Sequence, residues 1–220
     1  MISFKNISKS FSTPSWDQIK ILENMSLQVD QWSFVALMWP SGTWKSTLLN
    51  LIAGLERPNA GELLVDTTDT SALSDDEYTT FRGKNISFVF QQFHLLPQLT
   101  VAENIDLVVE LNKLERRFTT SQILEKVGLK WRESNYPSTL SGWEQQRVAV
   151  ARAFVAKTPI LLADEPTGNL DQGTARQIME LMKDLHTEVN NTIIMITHDR
   201  DIADYADTLY LLQDYTVVKQ

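Results

Sequence analysis

The chain has 220 residues, 43% of them hydrophobic and 22% charged, with no cysteine and a formal net charge of −8. This excludes a disulfide framework and a thiolate metal site, and it argues against binding nucleic acid or a membrane surface through a basic patch, since both need clustered Lys and Arg. No linker or low-complexity tract divides the chain, no apolar run reaches the ~18 residues of a membrane span, and the start lacks the layout of a secretory signal, so one globular unit in the cytoplasm, not inserted in the membrane, is expected.

Ile2 to Ile7 and Ile21 to Val29 alternate apolar and polar residues as half-buried strands do, and Ser33 to Met38 is a denser run suited to a central strand. A turn is expected at Asp30-Gln31-Trp32-Ser33, where Trp is a poor choice. The central run leads into Trp39-Pro40-Ser41-Gly42-Thr43-Trp44-Lys45-Ser46-Thr47, after which Leu48 to Ala53 reads as a helix. Strand, tight loop and helix in that order are what a phosphate-binding loop requires. Backbone N–H groups curl round the phosphates, a Lys reaches the terminal ones, and a Ser or Thr hydroxyl holds Mg²⁺. Lys45, Ser46 and Thr47 fit those roles. Trp39 and Trp44 stand where the pattern has glycine. A residue with a Cβ there cannot take the backbone conformations the loop uses, and the Trp44 indole would occupy the phosphate's space.

Arg57 to Glu62 is a turn into the short strand Leu63 to Asp66; Ser74 to Phe81 looks helical, and Asn85 to Phe90 is a strand ending in Gln91-Gln92. Thr100-x-x-Glu103 is a capping box ahead of an apolar face through Leu111, and a further helix ends at Gly128. This helical block interrupts the α/β alternation and reads as a subdomain inserted at about residues 92–155. Ser141-x-x-Glu144 caps a helix through Ala156. Ile160 to Asp164-Glu165 is then a buried strand ending in two acids, Asp171 to His186 a helix, and Thr192 to Thr197 a strand ending at His198. That succession implies a parallel sheet with its chemistry at the strands' carboxyl ends, Lys45, Asp164, Glu165 and His198 sharing one edge. An acidic pair at a strand end is common on its own. Beside a phosphate loop it becomes the pair in which Asp164 holds Mg²⁺ and Glu165 polarises the attacking water.

Over essentially its whole length the chain resembles the ATP-binding subunit of an ABC transporter. Leu140-Ser141-Gly142-Trp143-Glu144-Gln145-Gln146-Arg147-Val148-Ala149 is similar to the family's LSGGQ-type signature, and Phe88-Val89-Phe90-Gln91 to its Q-loop. Ala163-Asp164-Glu165-Pro166-Thr167-Gly168-Asn169-Leu170-Asp171 resembles Walker B with the D-loop, and Ile196-Thr197-His198-Asp199 the H-loop. Glu144 to Arg147, Asp164 to Asp171 and Phe93-His94-Leu95-Leu96-Pro97 resemble in particular the lipoprotein-release and macrolide-export type.

The resemblance implies an α/β P-loop NTPase fold with a RecA-like parallel-sheet core, an antiparallel β subdomain and an inserted α-helical subdomain, the whole of residues 1–220 forming one ATP-binding domain. It implies ATP and Mg²⁺ as cofactors, and hydrolysis that powers export of a lipoprotein, lipid, peptide or drug. The implied partners are a separately encoded transmembrane permease and a second copy of the chain, with the subunit peripheral on the inner face of the membrane. Two copies would sandwich two ATP molecules, each site pairing one copy's Lys45 loop with the other's Ser141 helix. By the same resemblance Phe11 stacks on adenine, and Trp39, Pro40, Ser41, Gly42, Thr43, Trp44, Lys45, Ser46 and Thr47 surround the phosphates. Ser46, Gln91 and Asp164 hold Mg²⁺; Glu165, His198 and Lys45 are the catalytic set; and Ser141, Gly142, Trp143, Glu144 and Asp171 join the nucleotide site.

Trp32, Trp39, Trp44 and Trp143 each stand where the family has glycine, and Trp16 and Trp131 lie in loops where glycine would be unsurprising. The chain has 8 glycines and 6 tryptophans, against an average glycine content near ~7%. Decay would scatter several residue types and would not spare Lys45, Gln91, Asp164, Glu165 and His198. The pattern fits a gene in which UGA encodes glycine, translated as though UGA encoded tryptophan. The alternative is a catalytically impaired pseudo-ATPase scaffold. A soluble ABC ATPase of DNA repair or chromosome maintenance is disfavoured. Those carry a long coiled coil between loop and signature, and the stretch from Lys45 to Ser141 has no sustained heptads.

Overall fold

The computed structural model describes residues 1–12, 18–38 and 45–220, apart from the side chains of Lys45 and Ser46. The chain divides into two units, residues 1–82 with 192–220, and residues 83–191.

In the first unit, β1 (Ile2–Ser12) pairs antiparallel with β2 (Gln18–Val29) and with β4 (Ala60–Val65), and β4 pairs antiparallel with the short β5 (Thr68–Asp69). Strand geometry sends alternate side chains to opposite faces, and Ile2, Phe4, Met25, Leu27, Val29, Leu63 and Val65 are among the buried residues. This is the antiparallel β subdomain. A second group of strands carries the parallel core: β3 (Phe34–Met38) runs parallel to both β8 (Thr192–Thr197) and β9 (Thr208–Gln213), and β10 (Thr216–Lys219) folds back antiparallel on β9. β3 and β8 are buried nearly throughout, which is why they read as unbroken apolar runs rather than alternating ones. Met38 is in register with Thr197. His198 therefore leaves the sheet level with the point where β3 gives way to residues 39–44.

Helix α1 (Lys45–Ala53) stops at Gly54, whose φ is +65 and whose successor Leu55 donates to the Asn50 carbonyl at 2.9 Å. Glycine is required there for space as well as conformation. The ring of buried Tyr78, from α2 (Asp75–Asn85), crosses Gly54, and a Cβ there would overlap it. The Tyr78 hydroxyl donates to the Leu51 and Ile52 carbonyls at 3.2 and 2.9 Å, tying α2 to the last turn of α1.

The expected turn before β3 is present, and it isolates an anomaly. Trp32 has φ +65 and is 61% exposed, with its N–H donating to Thr192 Oγ1 at 2.9 Å. The left-handed conformation costs an L-residue roughly 1–2 kcal/mol and costs glycine almost nothing. The other two tryptophans among the described residues also expose their rings, Trp131 at 87% and Trp143 at 41%. Trp16, Trp39 and Trp44 lie outside the described residues.

In the second unit, β6 (Ile86–Phe90) runs parallel to β7 (Ile160–Asp164), from Ile86 opposite Ile160 to Phe90 opposite Asp164. The helical block follows as α3 (Val101–Asn112) and α4 (Thr120–Lys126), which pack on α5 (Gly142–Phe154). Ile105, Val109, Ile123, Leu124, Val148 and Phe154 are buried in this block. The Thr100–Glu103 capping box opens α3 as expected, and a second box, Thr119–Gln122, opens α4. α6 (Gln172–Val189) buries Ala175, Ile178, Met179, Met182, Leu185 and Val189, the three- and four-residue spacing of a one-sided helix. Among the described residues no helix is long and apolar enough to cross a membrane.

Candidate functional site

Register alone sets Gln91 beside the acidic pair, because β6 and β7 end level at Phe90 and Asp164. The chain then turns sharply after Asp164. Glu165 takes a left-handed φ of +47 and is buried at 6% exposure, and its carbonyl accepts from the Gly168 N–H at 3.0 Å. The fully buried Gln146, from α5, donates through Nε2 to the Pro166 carbonyl and so ties the signature helix to this turn. Two further bonds join the turn to the end of β6. Gln91 Nε2 donates to Asn169 Oδ1 at 3.1 Å, and Asn169 Nδ2 donates to the Gln91 carbonyl at 2.9 Å. Asp171 caps α6 by accepting from the Thr174 N–H at 3.1 Å and hydroxyl at 2.6 Å, contacts that hold its carboxyl below the ordinary range.

The signature segment is built round Glu144. Its Oε2 accepts from the Ser141 hydroxyl at 2.7 Å and from the Ser141 N–H at 2.9 Å, while its Oε1 accepts from Arg132 Nε at 3.0 Å. The Ser141 hydroxyl and N–H, with the Arg132 charge beside them, hold the Glu144 carboxyl below the ordinary range. Both carboxylate oxygens are thus engaged within the chain, and what Glu144 does here is cap α5. Gly142 and Trp143 form the first turn of that helix, where backbone N–H groups have no intrahelical acceptor. The Trp143 ring lies under the Arg147 guanidinium at 5.3 Å.

In the other unit α1 begins at Lys45, ahead of the Leu48 start that the sequence indicates, and Thr47 is buried at 6% exposure. Trp39, Pro40, Ser41, Gly42, Thr43 and Trp44, with the side chains of Lys45 and Ser46, lie outside the described residues. Phe11 is half-buried near the end of β1. One face of its ring is covered by the Lys9 ammonium, 4.7 Å from the centroid, which is itself fixed by Glu56 at 2.6 Å and the Arg57 carbonyl at 2.8 Å. His198 is exposed after buried Thr197, whose Oγ1 accepts from the Asp199 N–H at 3.1 Å.

The donors on offer to a cation suit Mg²⁺. The Gln91 amide oxygen, the Asp164 carboxylate and, by residue type, the Ser46 hydroxyl are hard oxygens. Among the described residues no three or more His, Cys, Asp or Glu gather as a self-sufficient metal site. Mg²⁺ is the ion that uses few protein oxygens and completes its shell with water and substrate phosphate. Sequence reasoning did not find Asn169, Gln146 or Arg152 as structural partners of these segments. Asn169 and Gln91 are 78 positions apart, and only the sheet register brings them together.

Each unit carries parallel strands, with α1 following β3 in one and a glutamine beside an acidic pair at the strand ends of the other, and these are elements of the P-loop NTPase class. The comparisons narrow the class. The model of the family described as ABC transporter matches residues 22–168. The chain is 45% identical over 221 residues to the uncharacterized ABC transporter ATP-binding protein YvrO of Bacillus subtilis, covering 99% of this chain and 96% of that one. It is 37% identical to the lipoprotein-releasing system ATP-binding protein LolD of Saccharophagus degradans, covering 100% and 97%. A solved dimeric post-hydrolysis structure of the ATP-binding cassette MJ0796, bound to ADP and Pi, matches with a TM-score of 0.87 at 37% identity, covering 100% of this chain and 98% of that one. The protein to which that cassette's name belongs comes from Methanocaldococcus jannaschii. The chain belongs to the ABC transporter family, as an ATP-binding subunit with an ATPase of the ABC type.

Proposed function

We propose that two copies of the chain close on two ATP molecules and that their opening after hydrolysis drives an export-type permease, a separately encoded membrane protein on whose cytoplasmic side the dimer sits. Residues 1–220 act as one ATP-binding domain, with the helical subdomain at about residues 92–155. The loop around Gly42 to Thr47 binds phosphates through its N–H groups, and the start of α5, at Ser141 to Trp143, meets the γ-phosphate held by the other copy. Phe11 offers adenine the ring face that Lys9 does not cover. Ser46, Gln91 and Asp164 hold Mg²⁺, which when bound screens the charge on the transferred phosphate. Glu165 orients the attacking water and His198 steadies the γ-phosphate, so most of the catalysis is positioning and electrostatics. Asp171 contributes by capping α6 beside the site.

The observation that carries this reading is the level ending of β6 and β7, which puts Gln91 next to Asp164 and Glu165. Glu165→Gln tests it: the variant should still bind ATP and accumulate as an ATP-trapped dimer, with hydrolysis abolished. Hydrolysis near the parent rate would move the catalytic role elsewhere. The type of cargo is proposed from the likeness to the lipoprotein-releasing relative.

In this reading the six tryptophans are glycines in the natural protein. Trp32 supports it through a backbone conformation that suits glycine, and Trp131 and Trp143 through rings that fill no core. The intact mass of protein made in its native host tests it, the expected result being a mass lower by six Trp-to-Gly differences.

A further inference from the structure

We infer that Asn169 is a positioning residue: it fixes which end of the Gln91 amide is presented to a cation, with Gly168 leaving the room for it. The inference rests on the reading of Gln91 as a Mg²⁺ ligand and adds to that reading a residue outside the ligand set.

A glutamine side chain has an oxygen that can bind Mg²⁺ and a nitrogen that cannot, and nothing in an isolated glutamine decides which one faces the ion. Here the choice is made by a chain of two contacts that begins at a group with only one possible role. The Gln91 backbone carbonyl can only accept, so the Asn169 atom 2.9 Å from it is the donor Nδ2. That leaves Oδ1 as the other end of the Asn169 amide, and Oδ1 can only accept. The Gln91 atom 3.1 Å from it is therefore Nε2. Turning the Gln91 amide over would bring two oxygens together at that distance and lose the bond. The orientation follows from the hydrogen bond to the Gln91 backbone carbonyl, which can only accept, and Oε1 is the end that the clamp does not use.

Gly168 is the second half of the device. A Cβ at 168 would meet Gln91 Nε2 at 2.8 Å and Cδ at 3.0 Å, so any side chain there displaces the amide from Asn169. The Gly168 N–H is meanwhile bonded to the Glu165 carbonyl at 3.0 Å. The clamp therefore ties the orientation of Gln91 to the turn that holds Glu165. Partners that orient a metal ligand typically change affinity about 10–100-fold when removed.

The test uses the full chain carrying glycine at the six tryptophan positions, and reads Mn²⁺ affinity by electron paramagnetic resonance in the presence of a non-hydrolysable ATP analogue. Asn169→Leu, which keeps the size and removes both bonds, is expected to weaken Mn²⁺ binding about tenfold. Gly168→Ala should act in the same direction if the leucine variant fails to fold. Neither should change analogue binding in EDTA, and Asn169→Leu should add nothing in a Gln91→Ala background. Without nucleotide, exchange of the Gln91 Nε2 protons, followed by NMR, should be slowed in the parent and faster in Asn169→Leu. Equal weakening by Asn169→Leu with and without Gln91, or in EDTA, would overturn the inference. If Gln91→Ala weakens Mn²⁺ binding while both clamp variants leave it unchanged, the positioning role fails and the ligand role stands. If Gln91→Ala itself changes nothing, the ligand reading fails and the inference falls with it.

Discussion

The guanidinium of Arg152 donates to the carbonyl of His94 at 2.6 Å, and its other terminal nitrogen donates to the preceding carbonyl, Phe93, at 2.7 Å. Phe93 and His94 are consecutive left-handed residues, with φ of +44 and +49, so their carbonyls are turned out of any regular ladder and need an outside donor. Arg152 sits near the end of α5, whose first turn is the signature segment. One planar fork thus joins the signature helix to the chain just after Gln91. Arg152→Lys replaces two oriented bonds by one point charge. It should cost about 1.5–3 kcal/mol in chemical denaturation and speed amide exchange in the residues following Gln91. Unchanged stability and exchange would mean the left-handed pair is held by other contacts.

The capping of α5 should depend on pH. The Glu144 carboxyl titrates below its unfolded value of about 4.3, so its contribution is fully present above that value and is lost as pH falls through the lower, folded value. Glu144→Gln should lower the thermal midpoint at neutral pH, and the gap to the parent should close as pH drops below about 4. A gap that is constant across that window would assign the effect to packing instead of charge.

The segment after Gln91 presents apolar side chains unevenly. Leu96 is 43% exposed, whereas Phe93 and Leu95 are half-buried, and the Phe93 ring lies 3.8 Å from where a Cβ on Gly142 would be. Leu96→Ser should leave stability within about 0.5 kcal/mol and uncouple ATP hydrolysis from transport in the assembled transporter. Phe93→Ser should be the destabilising member of the pair. Normal coupling in Leu96→Ser would remove this segment from the permease interface.

The tryptophans separate by backbone conformation. Trp32→Gly relieves a left-handed residue and should raise stability by about 1 kcal/mol, read as a higher denaturant midpoint. Trp143→Gly removes a side chain from the first turn of α5 without any such relief and should not stabilise. Equal effects at the two positions would contradict the conformational argument.

Most elements were legible because their burial is one-sided or complete. β8 falls on Thr192–Thr197 as the apolar run indicated, and the capping boxes at Thr100 and Ser141 mark the starts of α3 and α5. The C-terminal hairpin of β9 and β10 is not legible in the sequence. β9 is placed by parallel pairing with β3, more than 150 positions earlier in the chain, and its partly exposed pattern carries no local signal of that pairing. The α4 capping box, Thr119–Gln122, has its own local sequence signature, Thr-x-x-Gln. Within the site, the residue types of Gln91, Asp164 and Glu165 were readable. The Asn169 clamp and the Arg152 fork were not, because each pairs a side chain with a backbone carbonyl more than 50 positions away. Glu144 is readable as the cap of α5 and, from the signature, as a nucleotide contact; the geometry adds the Arg132 bond on its second oxygen.

The most direct test compares the sequence as it stands with the chain carrying glycine at positions 16, 32, 39, 44, 131 and 143. Each is purified, titrated with ATP and Mg²⁺, and assayed for phosphate release. The glycine form should bind ATP and turn it over, with Trp39→Gly and Trp44→Gly sufficient for binding by one subunit and Trp143→Gly needed for the ATP-bound dimer. The tryptophan form should keep the fold and lose both activities. Equal affinity and equal turnover in the two forms, or a glycine form that binds ATP and releases no phosphate, would contradict the account.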